Sequence, residues 1–347
     1  MSIEPDSTAA PAGRIAIIGA GSVGSTIAYA TMLRGLASQI VLIDQNRAKC
    51  EAEAKDLDHG RRFVPTVRLW AGDVVDCAEA EIVIVTAGAK QKPGQSRLDL
   101  IQANVAIFNH LIPAISEVAP NAILLIVSNP VDVLTYQASI LHHGGPDRVL
   151  GSGTVLDSAR FVSLLAERLG VAPRSVHAYV VGEHGDSKLL LWSSADIGAT
   201  PLRCMVDSKG GRLTDTDRTE INAQVEGAAG EIIAAKGATN WAVGLAVARI
   251  MEAIRRDESA VLTVSRLLEN YFGVSDVCLS VPCLVNRHGA RRVLPVPMNA
   301  KELAAFQASA RIIREACRSA GLRRGVLGPR GADHPAPPAI LGCSERF

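Results

Sequence analysis

The chain has 347 residues, 48% of them hydrophobic, more than one core usually organises, so two domains are expected. Thirty-six basic against thirty-five acidic residues leave a formal charge of +1, which excludes a broad field for nucleic acid or an anionic membrane. Seven scattered cysteines (Cys50, Cys77, Cys204, Cys278, Cys283, Cys317, Cys343) form no C-x-x-C pair, which argues against a disulfide framework and against a metal site and fits reduced thiols.

The opening stretch MSIEPDSTAAPAG has no apolar core of signal-peptide length, and no apolar run reaches the ~18 residues of a membrane span. A soluble, cytoplasmic protein is expected. From Arg14, β-branched runs alternate with helical stretches: IAIIG at 15–19, IVLID at 40–44, IVIVTAG at 82–88 and ILLIVSNP at 123–130. Runs apolar on both faces read as buried parallel strands, and their alternation with helices predicts a doubly wound, mostly parallel α/β dinucleotide-binding sheet over 14–151.

The first strand is followed directly by Gly19-Ala20-Gly21-Ser22-Val23-Gly24 and then by a helical stretch. In that context the glycines supply a tight turn, close backbone approach to a pyrophosphate and close helix packing. Asp44 ends the next strand, where a carboxylate accepts hydrogen bonds from an adenosine ribose and repels a 2′-phosphate, favouring NAD over NADP. Two alternatives stay open: Asp44 as the N-cap of the next helix, and neighbouring Arg47 as a partner for the extra phosphate of NADP.

Residues 152–322 read as an α+β substrate domain. A helix over SGTVLDSARFVSLLAERLG stops at Gly170; VHAYVVGEHG and KLLLWSSADI read as strands, 216–236 and 240–256 as helices, AVLTVSRLL, CLSVPCLV and RRVLPV as strands, and 299–320 as a last helix. The ends, 1–13 and 323–347, read as flexible tails.

Four segments place polar groups where a packed core would not: AKQKPGQSR at 89–97, SNPVD at 128–132, LDSAR at 156–160 and GEHGDS at 182–187. His184 in a glycine turn is, alone, an ordinary turn histidine, although an imidazole suits proton transfer near neutral pH. Asp157 reads either as a first-turn helix acid or as the carboxylate that orients such an imidazole. Arg160, three residues on, shares its helix face; it forms either an intrahelical pair or a fork for a substrate carboxylate. Lys90 to Arg97 is a polar loop around Pro93 and Gly94, and Asn129 before Pro130 is a turn signal.

Together these motifs, in order and spacing, resemble the lactate and malate dehydrogenase family from Arg14 to about Leu322. The resemblance implies an NAD-dependent, cytoplasmic oxidoreductase of glycolysis and pyruvate fermentation that moves a hydride between NADH and a 2-keto acid. It implies His184 as acid and base, Asp157 as its partner, and Arg160 on the substrate carboxylate. Closure of the 90–97 loop would bring Arg97 to the reacting carbonyl. Asn129 would bond the substrate oxygen and Thr239 would line the pocket. Gly19, Gly21, Val23, Gly24, Asp44, Gly88, Ala89, Val127, Ser128 and Asn129 would hold the cofactor. The family's malate branch carries an arginine where Gln91 stands, so pyruvate and L-lactate are favoured, although Lys92 is close by. A homotetramer is implied. So is indifference to fructose 1,6-bisphosphate, because His177 matches an activator-site histidine but Val162 stands in place of its arginine. NAD-dependent glycosidases share this kind of cofactor domain, yet no Cys/His pair is placed to hold their metal. A non-enzymatic dinucleotide binder would be expected to relax these site residues, and none departs from the pattern.

Overall fold

The computed structural model describes residues 13–89, 97–207 and 210–323, without the side chain of Arg97. The expectations for Gln91, for the loop from Lys90 to Arg97, for the tails beyond these limits and for Cys343 therefore lie outside the described residues.

The apolar runs become β1 (Arg14–Ile18), β2 (Gln39–Ile43), β4 (Ala80–Val85) and β5 (Ile123–Ile126), paired in parallel and buried on both faces. Helices α1 (Ser22–Leu33), α2 (Arg47–His59), α3 (Arg97–Val118) and α4 (Val131–Leu141) supply the crossovers. At the edge lies β3 (Arg68–Ala71), which no apolar run announces. Its Trp70 is half-buried against the core and also carries the guanidinium groups of Arg14 and Arg68, 5.2 and 4.9 Å from the ring centre.

The sheet does not stop at the end of this unit. Short β6 (Val149–Gly151) runs parallel to β5 and meets β12 (Ala260–Leu268) through the single register pair Gly151–Ser265. Antiparallel β13 (Val277–Asn286), β8 (Val180–Gly182) and β9 (Lys188–Leu190) continue from there. The order is β3-β2-β1-β4-β5-β6-β12-β13-β8-β9, with β14 (Gly289–Val293) on β13, eleven strands among the described residues. The second half thus adds its antiparallel strands to the sheet of the first.

The expected strands VHAYVVGEHG and KLLLWSSADI are each divided. Val176–His177 forms β7 and Asp196–Ile197 forms β10, which lies between β7 and β11 (Thr200–Pro201) in a separate small sheet, while β8 and β9 join the large one. Each run crosses between two sheets, so one apolar stretch serves two ladders. Between them and helices α5 (Val155–Leu169) and α6 (Asp215–Lys236) lies a second core of Phe161, Leu165, Val180, Leu190 and Val225. The strand expected at RRVLPV ends at Val293, ahead of Pro295, which has no N–H for the ladder. The remaining helices, α7 (Trp241–Arg255) and α8 (Ala300–Ser319), match expectation; α8 opens on a reciprocal cap between Asn299 and Glu302.

One helix corrects the expectation about apolar length. Leu98–Val118 of α3 is long and apolar enough to cross a membrane by length and composition. Its Ile101, Val105, Phe108, Ile112 and Ile115 are buried in the protein's own core, it packs on α4, and buried Asn104 interrupts the apolar face. The six cysteines of the described residues are free, and all but Cys204 are buried.

Candidate active site

The turn after β1 is built by three glycines for three different reasons. Gly19 has φ +107°, a region L side chains avoid, and its N–H donates to the Ile43 carbonyl at 2.7 Å, tying the turn to β2. Gly24 packs against the backbone of Gly19, where a Cβ would overlap the Gly19 carbonyl oxygen. Gly21 has φ −84°, open to any residue, and nothing lies within 4 Å of where its Cβ would be. Neither backbone nor packing asks for glycine there. The open space over Gly21 lies at the N-terminus of α1, which has no side-chain cap and no acid in its first turn, with half-buried Val23 beside it. Free N–H groups facing an open cradle fit the pyrophosphate of a dinucleotide.

Asp44 locks this turn. Its Oδ2 accepts from the Ala20 N–H at 2.8 Å and its Oδ1 from the Asn46 N–H at 2.9 Å. The cap of α2 is Asn46, whose side chain accepts from Lys49, so the N-cap alternative for Asp44 falls. Arg47 is engaged elsewhere, with Glu51 at 2.7 Å, Asp73 at 3.4 Å and the carbonyls of Ala71 and Gly72. That leaves Asp44 without an ion pair among the described residues, and a carboxylate with no cation beside it suits NAD rather than a 2′-phosphate.

On the other side of β1, the ends of β4 and β5 are joined through Asn104, fully buried on α3 and not foreseen from sequence. It accepts from the Ala89 N–H at 2.6 Å and donates to the Asn129 carbonyl at 2.9 Å, with Gly88 packed close to its amide. Ser128 is buried and its hydroxyl donates to the Val85 and Ala87 carbonyls, while the N–H of Val127 also bonds Val85. The hydroxyl and the N–H of Ser128 therefore both hold the strand ends together. Asn129 is exposed and joined to Pro130 by a cis peptide bond.

Three elements converge on one carboxylate. Asp157, in the first turn of α5, is fully buried; its Oδ2 meets His184 Nδ1 at 2.6 Å and its Oδ1 meets Arg160 Nη1 at 3.1 Å and Lys188 Nζ at 3.4 Å. His184 follows β8 in a turn closed by Glu183, whose carboxylate accepts from the N–H and hydroxyl of Ser187 and whose own N–H donates to Ser309 of α8. Its backbone N–H donates to Asp132 Oδ2 at 2.7 Å, and Ser265 of β12 donates to the other oxygen of that buried acid at 2.6 Å. With Nδ1 committed to Asp157, Nε2 is the ring nitrogen left for chemistry. Thr239, before α7, is half-buried, and no hydrogen bond among the described residues ties it to this cluster.

Electrostatics follow from these contacts. Burial alone would raise the Asp157 carboxyl, but the His184 hydrogen bond and the charges of His184, Lys188 and Arg160 hold it down to about 2. Burial alone would lower the His184 imidazole; the hydrogen bond and charge of Asp157, with Asp132 behind it, leave it raised. Asp132 is pushed up to about 6 by burial, against the bonds from Ser265 and His184. Such a pair can release and recapture a proton at Nε2, beside a guanidinium able to fork a carboxylate.

Sequence reasoning found Asp157, Arg160 and His184 and missed Asp132 and Lys188. A polar residue at the start of an apolar helix was the available signal for the first; for Lys188 there was none.

The chain matches known proteins along most of its length. The family description "lactate/malate dehydrogenase, NAD binding domain" matches residues 13–151, and "lactate/malate dehydrogenase, alpha/beta C-terminal domain" matches 154–320. An L-lactate dehydrogenase of Synechococcus sp. (strain JA-3-3Ab) is 49% identical over 303 residues, 86% of this chain and 96% of its own. One from Acetivibrio thermocellus is 47% identical over 302 residues, covering 87% and 95%. Among solved structures, the minor L-lactate dehydrogenase of Enterococcus mundtii, in a ligand-bound form, superposes with TM-score 0.85 at 38% identity over 89% of this chain and 98% of that one.

Proposed function

The chain belongs to the lactate/malate dehydrogenase family and acts as an NAD-dependent oxidoreductase on L-lactate and pyruvate; from that premise we propose how its own residues carry the reaction. When bound, NADH supplies the hydride that reaches the carbonyl carbon of pyruvate. Arg160 forks the substrate carboxylate and fixes the face presented. His184, protonated, gives its Nε2 proton to the carbonyl oxygen and ends neutral, while Asp157 holds the ring through Nδ1 and stabilises the imidazolium beforehand. In lactate oxidation the same nitrogen takes the hydroxyl proton. Asn129 is assigned to the substrate oxygen, Thr239 to the pocket wall, and Arg97, with Gln91, to the loop that meets the substrate; for all four the support is sequence resemblance.

The cofactor is assigned to Gly19, Gly21, Val23, Gly24, Asp44, Gly88, Ala89, Val127, Ser128 and Asn129. The division into 14–151 and 152–322, a cytoplasmic homotetramer, and an enzyme without nucleic acid or membrane partners belong to the same proposal.

The observation that carries the mechanism is the 2.6 Å contact of His184 with a buried Asp157 that also pairs with Arg160. The test is His184→Gln. Turnover of pyruvate should fall by roughly 10²–10⁴, the usual contribution of a positioned acid, while NADH affinity by fluorescence titration stays near wild type. Unchanged pyruvate reduction in that variant would overturn the mechanism.

A further inference from the structure

Lys188, the first residue of β9, has a side chain only 8% exposed, and its one ion pair among the described residues is with Oδ1 of Asp157. A buried ammonium loses its hydration and is tolerated where a counter-charge replaces it. With the carboxylates of Glu226 and Glu302, Lys188 lines a cavity of about 370 Å³. Glu302 is occupied by Ser193 and by the N–H of Asn299. Nζ reaches the catalytic carboxylate instead.

Oδ1 of Asp157 therefore carries two cations, Arg160 at 3.1 Å and Lys188 at 3.4 Å, while Oδ2 carries His184. The two cations are not equivalent. Arg160 is the group assigned to the substrate carboxylate, and a guanidinium that forks a second carboxylate gives up part of its hold on the first. Lys188 comes from a different element and has no such second duty. Resting on the reading of His184 and Asp157 given above, we propose that Lys188 is a positioning residue: its ammonium holds Oδ1 of Asp157 so that the carboxylate stays aimed at His184 Nδ1 when Arg160 turns to the substrate.

The charged groups facing the pair are Arg160 from α5, Asp132 from α4, with Glu183 from the turn acting on Asp132, and Lys188 from β9. Of these, Lys188 opposes the rise of the His184 imidazole and helps to hold Asp157 ionised. In the free enzyme, where Arg160 still holds Asp157, removing the Lys188 charge should raise His184 further. Pyruvate reduction requires protonated His184, so the alkaline limb of kcat/KM for pyruvate should move to higher pH; lactate oxidation requires the neutral ring, so its acid limb should move the same way.

The test is steady-state kinetics in both directions across pH for Lys188→Met, Lys188→Gln and Lys188→Arg, with NADH titration and thermal unfolding as checks on the fold. Lys188→Met should lose about tenfold or more in kcat for pyruvate, more than in KM, because the positioning matters after substrate is bound, and should shift both kcat/KM limbs upward, because in the free enzyme only the lost charge acts. Lys188→Gln, whose shorter polar side chain is easier to accommodate, should shift the limbs likewise and stands in if the Met variant does not fold. Lys188→Arg should restore limbs and rate. A neutral variant with wild-type limbs, whether fully active or uniformly slowed, overturns the proposal; if His184→Gln is inactive in the same experiments, the reading of the site survives that failure.

Discussion

Asp132 illustrates how much one buried carboxylate sets at the residue scale. It is only 1% exposed, holds the backbone of His184 and is itself held by Ser265 from a strand far along the chain. Its folded value of about 6 lies above the ordinary 3.8, so between those values the folded state binds more protons than the unfolded state. Stability contributed at this position therefore falls as pH rises from about 4 to about 6 and is flat above. Asp157 has the opposite sign in a lower window: its value of about 2 makes its contribution complete above about pH 4 and lost as pH falls towards 2. Urea unfolding of Asp132→Asn against wild type should show the two curves diverging by on the order of 2–3 kcal/mol between pH 4 and 6, with the variant gaining. Parallel curves across that window would contradict an ionising Asp132. At this scale sequence was informative where spacing is local: Asp157 and Arg160 are three apart on α5 and were read as one face. Asp132 and Lys188 were not legible, because their meaning depends on Ser265 and on Asp157, which only tertiary packing brings to them. Gln91 remains a sequence-based proposal; Gln91→Arg should move the ratio of kcat/KM values from pyruvate towards oxaloacetate, as a new cation pairs with a second carboxylate.

At the scale of elements, the turn between β1 and α1 separates glycines that build from the glycine that leaves room. Gly24→Ala would set a methyl group into the Gly19 carbonyl, a backbone group that cannot turn aside, and should lower Tm or prevent folding. Gly21→Ala meets nothing in the protein, so Tm of the cofactor-free enzyme should stay within the scatter of wild type while NADH binding weakens at least about tenfold, or 1.4 kcal/mol. Differential scanning fluorimetry and NADH titration of the two variants check this; loss of stability in Gly21→Ala with unchanged affinity would reverse the assignment. The G-x-G-x-x-G string was plain in the sequence, but not which glycine does which, since that depends on what stands opposite each one. The same limit explains β3 and the divided strands. Arg68-Leu69-Trp70-Ala71 has too little apolar patterning to announce an edge strand, and no local pattern tells that Val176 and Val180 belong to different sheets.

At the scale of the whole molecule, regulation follows from what the second half displays. His177 is exposed on β7, and Val162 is partly buried against the second core rather than offering a cation. A sugar bisphosphate needs charge-assisted donors to replace its hydration, and valine has none. Fructose 1,6-bisphosphate should therefore leave the apparent KM for pyruvate unchanged at neutral pH; a several-fold fall on adding it would show a basic site elsewhere. The continuous sheet carries a further consequence, for biosynthesis. Once Gly151 has left the ribosome the parallel strands can assemble, yet the outer edge of β6 has no partner until Ser265 follows. An exposed edge is a template for pairing with another nascent chain. Here the edge is three residues long, ends in glycine and closes through one register pair, so it offers a stray strand almost nothing to zip along while the ribosome completes the rest.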